Sequence, residues 1–369
     1  MRFSKDRWLA ILVISPSIAL IAIFVYGFIG QTIFWSLSDW KGLSATPVIN
    51  FIGLKNFENL FTGILNYRFR IDLVNTVFFT IVFLSVCLAL GLLLAILIDQ
   101  KIRGESIFRT IFLFPMALSF VVTGTVWRWL FAPSSGLNTL PTVIGLPPMA
   151  TAWFTDHTKV MAFTGLDLSR MIGLTVTVVL LTFAFINWLQ NRRRLAVAAG
   201  IIGLSLAGAL LSALLFPDPN LKPSTEVFGL NVAIISIVIA ATWQMSGYTM
   251  AIYLAGLRGI PDELREAARV DGCTEMQIYQ YIVLPLLQPI TLSAVIILGH
   301  ISLKIFDLIY VMAGDVNLQV DVPGINMYLT SFRGNNFSLG SSIAVIMLLL
   351  IAVIIVPYLV NMFRVQGNK

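Results

Sequence analysis

The chain has 369 residues, of which 58% are hydrophobic and 11% charged, with a mean hydropathy of +0.89 and a net charge of +6. That balance excludes a soluble globular domain, and it reads the positive charge as loops beside anionic lipid, with no nucleic acid as partner. Two cysteines far apart in the chain, Cys87 and Cys273, offer no structural disulfide.

A helix crosses roughly 30 Å of hydrocarbon with about 20 apolar residues, because its backbone polar groups are all satisfied internally. Runs free of Asp, Glu, Lys and Arg occur at Leu9 to Trp35, Leu73 to Ile98, Ile111 to Trp127, Met171 to Leu189, Leu195 to Phe216, Val227 to Leu257 and Leu339 to Phe363. An eighth span near Ile282 to Ala313 carries only Lys304 and Asp307. The expectation is an all-α polytopic membrane protein of about eight transmembrane helices. The first run reaches about 40 Å at 1.5 Å per residue, is too long for a signal-peptide core, and reads as a retained helix.

Short positive loops stay in the cytoplasm. With both termini inside, the inner segments hold more than half of the 24 basic residues, and Arg192, Arg193 and Arg194 tie a two-helix hairpin to the inner face. This gives four stretches: 1-70, a first helix and outer segment; 71-165, two further spans and an outer loop; 166-226, an inserted hairpin; and 227-369, the remaining spans with a cytoplasmic loop at 258-281. Within the hairpin, Ala199, Gly203 and Ala207 form a small-residue seam that suits helix packing in lipid.

Catalytic chemistry has little to work with. The two histidines, His157 and His300, stand apart, no metal-ligand spacing occurs, and the phosphate-cradling G-x-x-x-x-G-K-[ST] pattern is missing. The chain is therefore expected to be no enzyme, to hold no cofactor, and to leave any use of ATP to another subunit.

The loop after the Val227 to Leu257 run carries the most specific signal. Pro261 suits a first helical position, Asp262 and Glu263 sit where the helix dipole favours acids, and Gly272 is a natural left-handed stop. Ile260, Leu264 and Ala267/Ala268 recur at about four-residue spacing and predict one narrow apolar face. Thr274 and Gln277 form a capping box that starts a second helix, which Pro285 would kink.

Glu266, Ala267, Ala268, Gly272, Ile282, Leu284 and Pro285 together resemble the E-A-A, three residues, G, nine residues, I-x-L-P signature of permease subunits of binding-protein-dependent ABC importers. Asn75-Thr76, Phe112-Leu113-Phe114-Pro115, Trp127-Arg128-Trp129-Leu130-Phe131 and Lys304-Ile305-Phe306-Asp307 are similar to the maltose-type carbohydrate permeases. The resemblance implies a type I permease core in a bacterial or archaeal plasma membrane, with the hairpin at 166-226 as an addition. It implies a second permease subunit, two ABC ATPase subunits that bind ATP and Mg, and an extracytoplasmic sugar-binding protein. It makes the stretch with Leu264, Glu266, Ala267, Ala268, Asp271 and Gly272 the coupling helix, seated in a cleft of a separate ATPase.

For the solute path, Trp243, Gln244, Ser246, Tyr248 and Thr249 form the densest polar and aromatic cluster in any span. Rings beside amide and hydroxyl groups suit a sugar, and they suit helix–helix hydrogen bonding equally well. Lys304 and Asp307, three apart, read as a structural ion pair along one helical face. A permease for another small solute, or a secondary transporter, is the alternative; the latter is expected to carry midplane acids and repeated halves, which the spans lack.

Overall fold

The computed structural model describes residues 5–43, 49–100, 103–149, 151–155, 158–164, 197, 200–205, 207–208, 227–315 and 317–367. The chain divides into two compact units, one formed by Met1–Thr158 with Val232–Lys369, the other by Lys159–Asn231.

Among the described residues of the larger unit, three helices are long and apolar enough to cross a membrane: Leu12–Ser36, Ile64–Asp99 and Val232–Arg258. Two bent pairs, Glu105–Ala117 with Phe120–Leu130 and Glu275–Leu286 with Gln288–Leu303, bring the number to five if each is one span. Eight clear spans are thus not seen; the expected helices at Met171 to Leu189 and Leu195 to Phe216 lie outside the described residues, save helical positions at 197, 200–205 and 207–208. The same holds for Arg192 to Arg194, His157 and Ala199.

Two expected spans change shape. The Val227 run does not begin as helix: Val227–Asn231 forms a strand paired antiparallel with Lys159–Thr164, and the helix starts at Val232. The segment is Val-Phe-Gly-Leu-Asn, whose β-branched and aromatic residues suit a pleated surface and whose glycine weakens a helix. The Ile111 to Trp127 run is broken by 99° between Ala117 and Phe120. Pro115 cannot donate to the ladder, Leu118 turns extended, and the Ser119 side chain accepts from the Val122 amide at 3.2 Å to start the second half.

The larger unit is built on the packing of the helix Tyr67–Asp99, 33 residues and about 50 Å long, along the helix Val232–Arg258. Small residues let the two backbones approach: a Cβ on Gly91 would stand 2.5 Å from the Thr249 side chain. Stacked rings of Phe79 and Phe83, 5.4 Å apart, join Ile234, Ile237, Leu298, Leu308 and Met312 in one buried cluster. A second cluster lies at the other end of the same pair, around Ile98, Leu257, Ile260, Ala268, Ile278 and Leu287. The first long helix buries none of its apolar window against the rest of the chain, but its last turn is fixed. Asn56 donates to the carbonyls of Ser36 and Ser38 at 2.9 and 2.7 Å, and Ser342 of the helix Phe337–Gly367 donates to the Ser36 carbonyl at 3.1 Å.

At the start of the Tyr67–Asp99 helix, buried polar groups stand beside a small apolar cluster of Leu60, Phe69 and Ile343. Asn326 donates to Asp72 at 2.7 Å, and Arg68 pairs with Asp321 and donates to the Asp315 carbonyl at 2.8 Å. Burial raises the Asp321 carboxyl above its ordinary range, and Arg68 opposes that rise.

Among the described residues, Gly247 marks the tightest approach of a glycine to backbone, since an added Cβ would lie 1.9 Å from the Phe112 carbonyl oxygen. Gly247→Ala is therefore expected to lower stability by about 1–3 kcal/mol through overpacking against backbone. Thermal unfolding of the purified chain in detergent checks this, and an unchanged midpoint would contradict the close approach.

Candidate functional site

The loop that follows the helix Val232–Arg258 folds as two short helices around a tight turn. The first, Asp262–Val270, begins after Pro261 and carries Asp262 and Glu263 in its first turn. It ends in a complete left-handed stop: Gly272 has φ +83°, its N–H donates to the Arg269 carbonyl at 3.1 Å, and the Cys273 N–H donates to the Ala268 carbonyl at 3.0 Å. This pair of bonds satisfies carbonyls that the helix end leaves free. The expected capping box forms next, with the Gln277 side chain accepting from the Thr274 amide at 2.8 Å and the Thr274 hydroxyl accepting from the Gln277 amide at 3.4 Å. Across the turn, Arg269 pairs with Glu275 at 2.7 Å. Both side chains are exposed, so the pair adds little stability.

The single apolar face expected from spacing is divided in two. Ile260 and Ala268 are buried against Ile98, Leu257 and Ile278. Leu264 is 45% exposed, Val270 is 87% exposed, and Glu266, Ala267 and Asp271 lie on the surface. Ala268 and Arg265, three apart, turn toward the bundle, and Leu264, Ala267 and Val270, at successive three-residue steps, stay exposed. Glu266 lines an open groove of about 550 Å³ together with Asp99, Asp262, Arg265, Arg269 and Tyr279.

Arg265 is the residue that sequence reasoning passed over. Its guanidinium pairs with Asp99 at 3.0 Å and donates to the Leu257 carbonyl at 3.1 Å, with the two charged side chains only 15% and 12% exposed. A signal was present: Asp99 closes a long helix, where the dipole disfavours an acid, so a cation had to be near. A second pair, Arg258 with Glu105 at 2.6 Å, links the start of the loop to the helix Glu105–Leu113.

The other expected site residues separate. Gln244 is buried and donates to the Leu118 carbonyl at 2.7 Å, so its amide satisfies the broken third span. Thr249 is buried, donates to the Met245 carbonyl at 3.1 Å, and lies 3.2 Å from the Cys87 sulfur. Both side chains thus bond within the chain. Trp243 remains 37% exposed and meets Trp127 edge-on at 5.8 Å, while Ser246 and Tyr248 are half-buried on the same helix.

The expected ion pair of Lys304 with Asp307 is not formed. The helix Gln288–Leu303 ends before Lys304 and a new helix starts at Asp307, so helical spacing does not apply across the gap. Among the described residues no ion pair joins the two. Asp307 lies instead in a first turn, where the dipole favours it. Among the described residues there is also no group of three or more His, Cys, Asp or Glu that could hold a metal.

Gly272→Ala is expected to cost about 1–2 kcal/mol locally, because only glycine occupies the left-handed region freely. Hydrogen exchange reads this directly: the Gly272-position and Cys273 amides should exchange faster, with the helix Val232–Arg258 unaffected. Unchanged protection of Cys273 would show that the turn does not depend on glycine.

Comparison with known proteins bears on the whole chain. The profile of the family described as binding-protein-dependent transport system inner membrane component matches residues 88–364. A probable ABC transporter permease of Pyrococcus horikoshii is 36% identical, with 97% of each chain covered. The xylose/arabinose import permease of Haloferax volcanii is 29% identical, over 94% of this chain and 86% of that one. In fold, the chain matches a crystal structure of a bacterial ABC transporter involved in alginate import with a TM-score of 0.61 and 18% identity, over 95% of this chain and 94% of that one.

Proposed function

We infer the function from one premise: the chain belongs to the family of binding-protein-dependent transport system inner membrane components. We propose that its solute is a carbohydrate, that it forms the pathway with a second permease subunit, and that two ATPase subunits drive it while a sugar-binding protein delivers the solute from outside. ATP and Mg belong to the ATPases on this reading. The relatedness to a xylose/arabinose import permease supports the substrate class.

One observation carries the mechanical part. The helix Asp262–Val270 is anchored to the bundle by one face and presents Leu264, Glu266, Ala267 and Val270 on the other. A short helix with an apolar outer face, an acid at its edge, a proline before its start and a glycine stop after its end suits a plug for a socket in a partner. In this role it passes force and does no chemistry. Driving a conformational population from 1:99 to 99:1 takes about 5.5 kcal/mol of differential interaction, so the plug has to remain gripped in both states. The stop at Gly272 keeps the C-terminal end of the helix from fraying under that load, and the capping box at Thr274 holds the start of the helix that follows.

For the path itself, polar groups in a span face protein or water because a lipid-facing position costs too much. Trp243, Ser246 and Tyr248 keep partly open side chains on the central helix and are the proposed solute contacts. Gln244 and Thr249, bonded within the chain, support them from behind.

Glu266→Lys reverses the charge offered to the socket, and Gly272→Pro removes the amide that closes the helix. Both variants are expected to stay in the membrane and hydrolyse ATP in the assembled transporter, with solute uptake reduced at least tenfold. Uptake assays in proteoliposomes alongside ATPase assays check this; normal uptake in both would refute the coupling role. The substrate class is checked separately by mass spectrometry of the ligand retained on the co-encoded binding protein, where a non-carbohydrate would overturn that part alone.

A further inference from the structure

We propose that Arg265 is a positioning residue that makes the loop helix and two separate spans move as one body; the proposal rests on the ATP-driven permease reading. Two helix ends converge on it. Asp99 is the last residue of the helix Tyr67–Asp99, and Leu257 lies in the last turn of the helix Val232–Arg258. Helix C-termini collect partial negative charge, so Asp99 stands where local electrostatics disfavours it. Arg265, on a third helix, answers both ends together at 3.0 and 3.1 Å. A planar guanidinium with fixed donor directions suits this double task, which an ammonium would serve poorly.

The covalent chain joins the loop helix to the helix before it and the span after it. It does not join it to the helix Tyr67–Asp99, whose end meets Arg265 from 166 positions away. Without the ion pair, among the described residues the loop helix itself meets that long helix through apolar contacts such as Ala268 with its neighbours in the buried cluster. Packed apolar helices slide past one another by small shears. A hydrogen-bonded, largely buried ion pair resists sliding and is weakly screened by salt. The pair therefore converts a contact that can slip into a hinge that cannot, and it carries the motion of the loop into the long helix.

The test uses the complete transporter with its ATPases, and reads ATP hydrolysis with and without the co-encoded binding protein as purified. The variants are Asp99→Asn, Arg265→Gln, the two combined, and Asp99→Glu. Each neutral variant is expected to retain its ATPase subunits in the wild-type ratio while losing about tenfold of the stimulation by the binding protein. The combined variant should be no worse than either alone, since both remove one interaction, and Asp99→Glu should keep more than half of the wild-type stimulation. Stimulation within twofold of wild type in the neutral variants, or losses that multiply in the combined one, overturns the proposal. Should the neutral variants fail to assemble, Asp99→Glu decides: recovery of assembly and stimulation together upholds the proposal, and anything less overturns it. A wild-type preparation without ATPase subunits would instead sink the permease reading, and this proposal with it.

Discussion

Hydrocarbon supplies no hydrogen-bond partner, so every backbone group freed inside a span has to be answered by the protein itself. The break in the third span shows how this constraint organises the molecule. Leu118 is extended and its carbonyl has no helical partner, and Gln244 reaches across from the helix Val232–Arg258 to bond it. That reach requires close approach, which Gly247 allows by lying against the backbone of Phe112. The bent span and the central helix are thereby fixed to each other by a polar contact and a missing side chain.

At the loop end, the same need is met in a different way. Helix ends leave backbone groups free; the turn at Gly272 and the Arg265 guanidinium answer carbonyls, and the capping box at Thr274 answers amide N–H groups. The result is a short helix whose two faces have different duties. Ala268 and Ile260 hold it down, and Leu264, Ala267 and Val270 are left exposed. A longer or more apolar helix would have buried more of itself and left less to present.

Much of this loop was readable from residue order because its signals are local. The acidic first turn, the left-handed stop and the capping box each involve residues within six positions of one another, so short-range backbone chemistry decides them. The division of the apolar face was not readable in that way. Ile260, Leu264, Ala267 and Ala268 look alike by spacing, and which of them is covered depends on Ile98, Leu257 and Ile278 arriving from other helices. The pairing of Lys304 with Asp307 failed for a related reason: it assumed a continuous helix, and the turn at Lys304 removes the geometry that brings residues three apart together.

Sequence by itself determined the membrane class, the apolar character of the spans and the family-bearing loop, because hydropathy and short-range capping need no knowledge of what lies across the molecule. Only the tertiary structure decided that Gln244 and Thr249 bond within the chain and that Asp99 and Arg265 meet. Those outcomes depend on groups more than a hundred positions apart reaching hydrogen-bond distance. Linear order carries no information about such distances until the helices have packed.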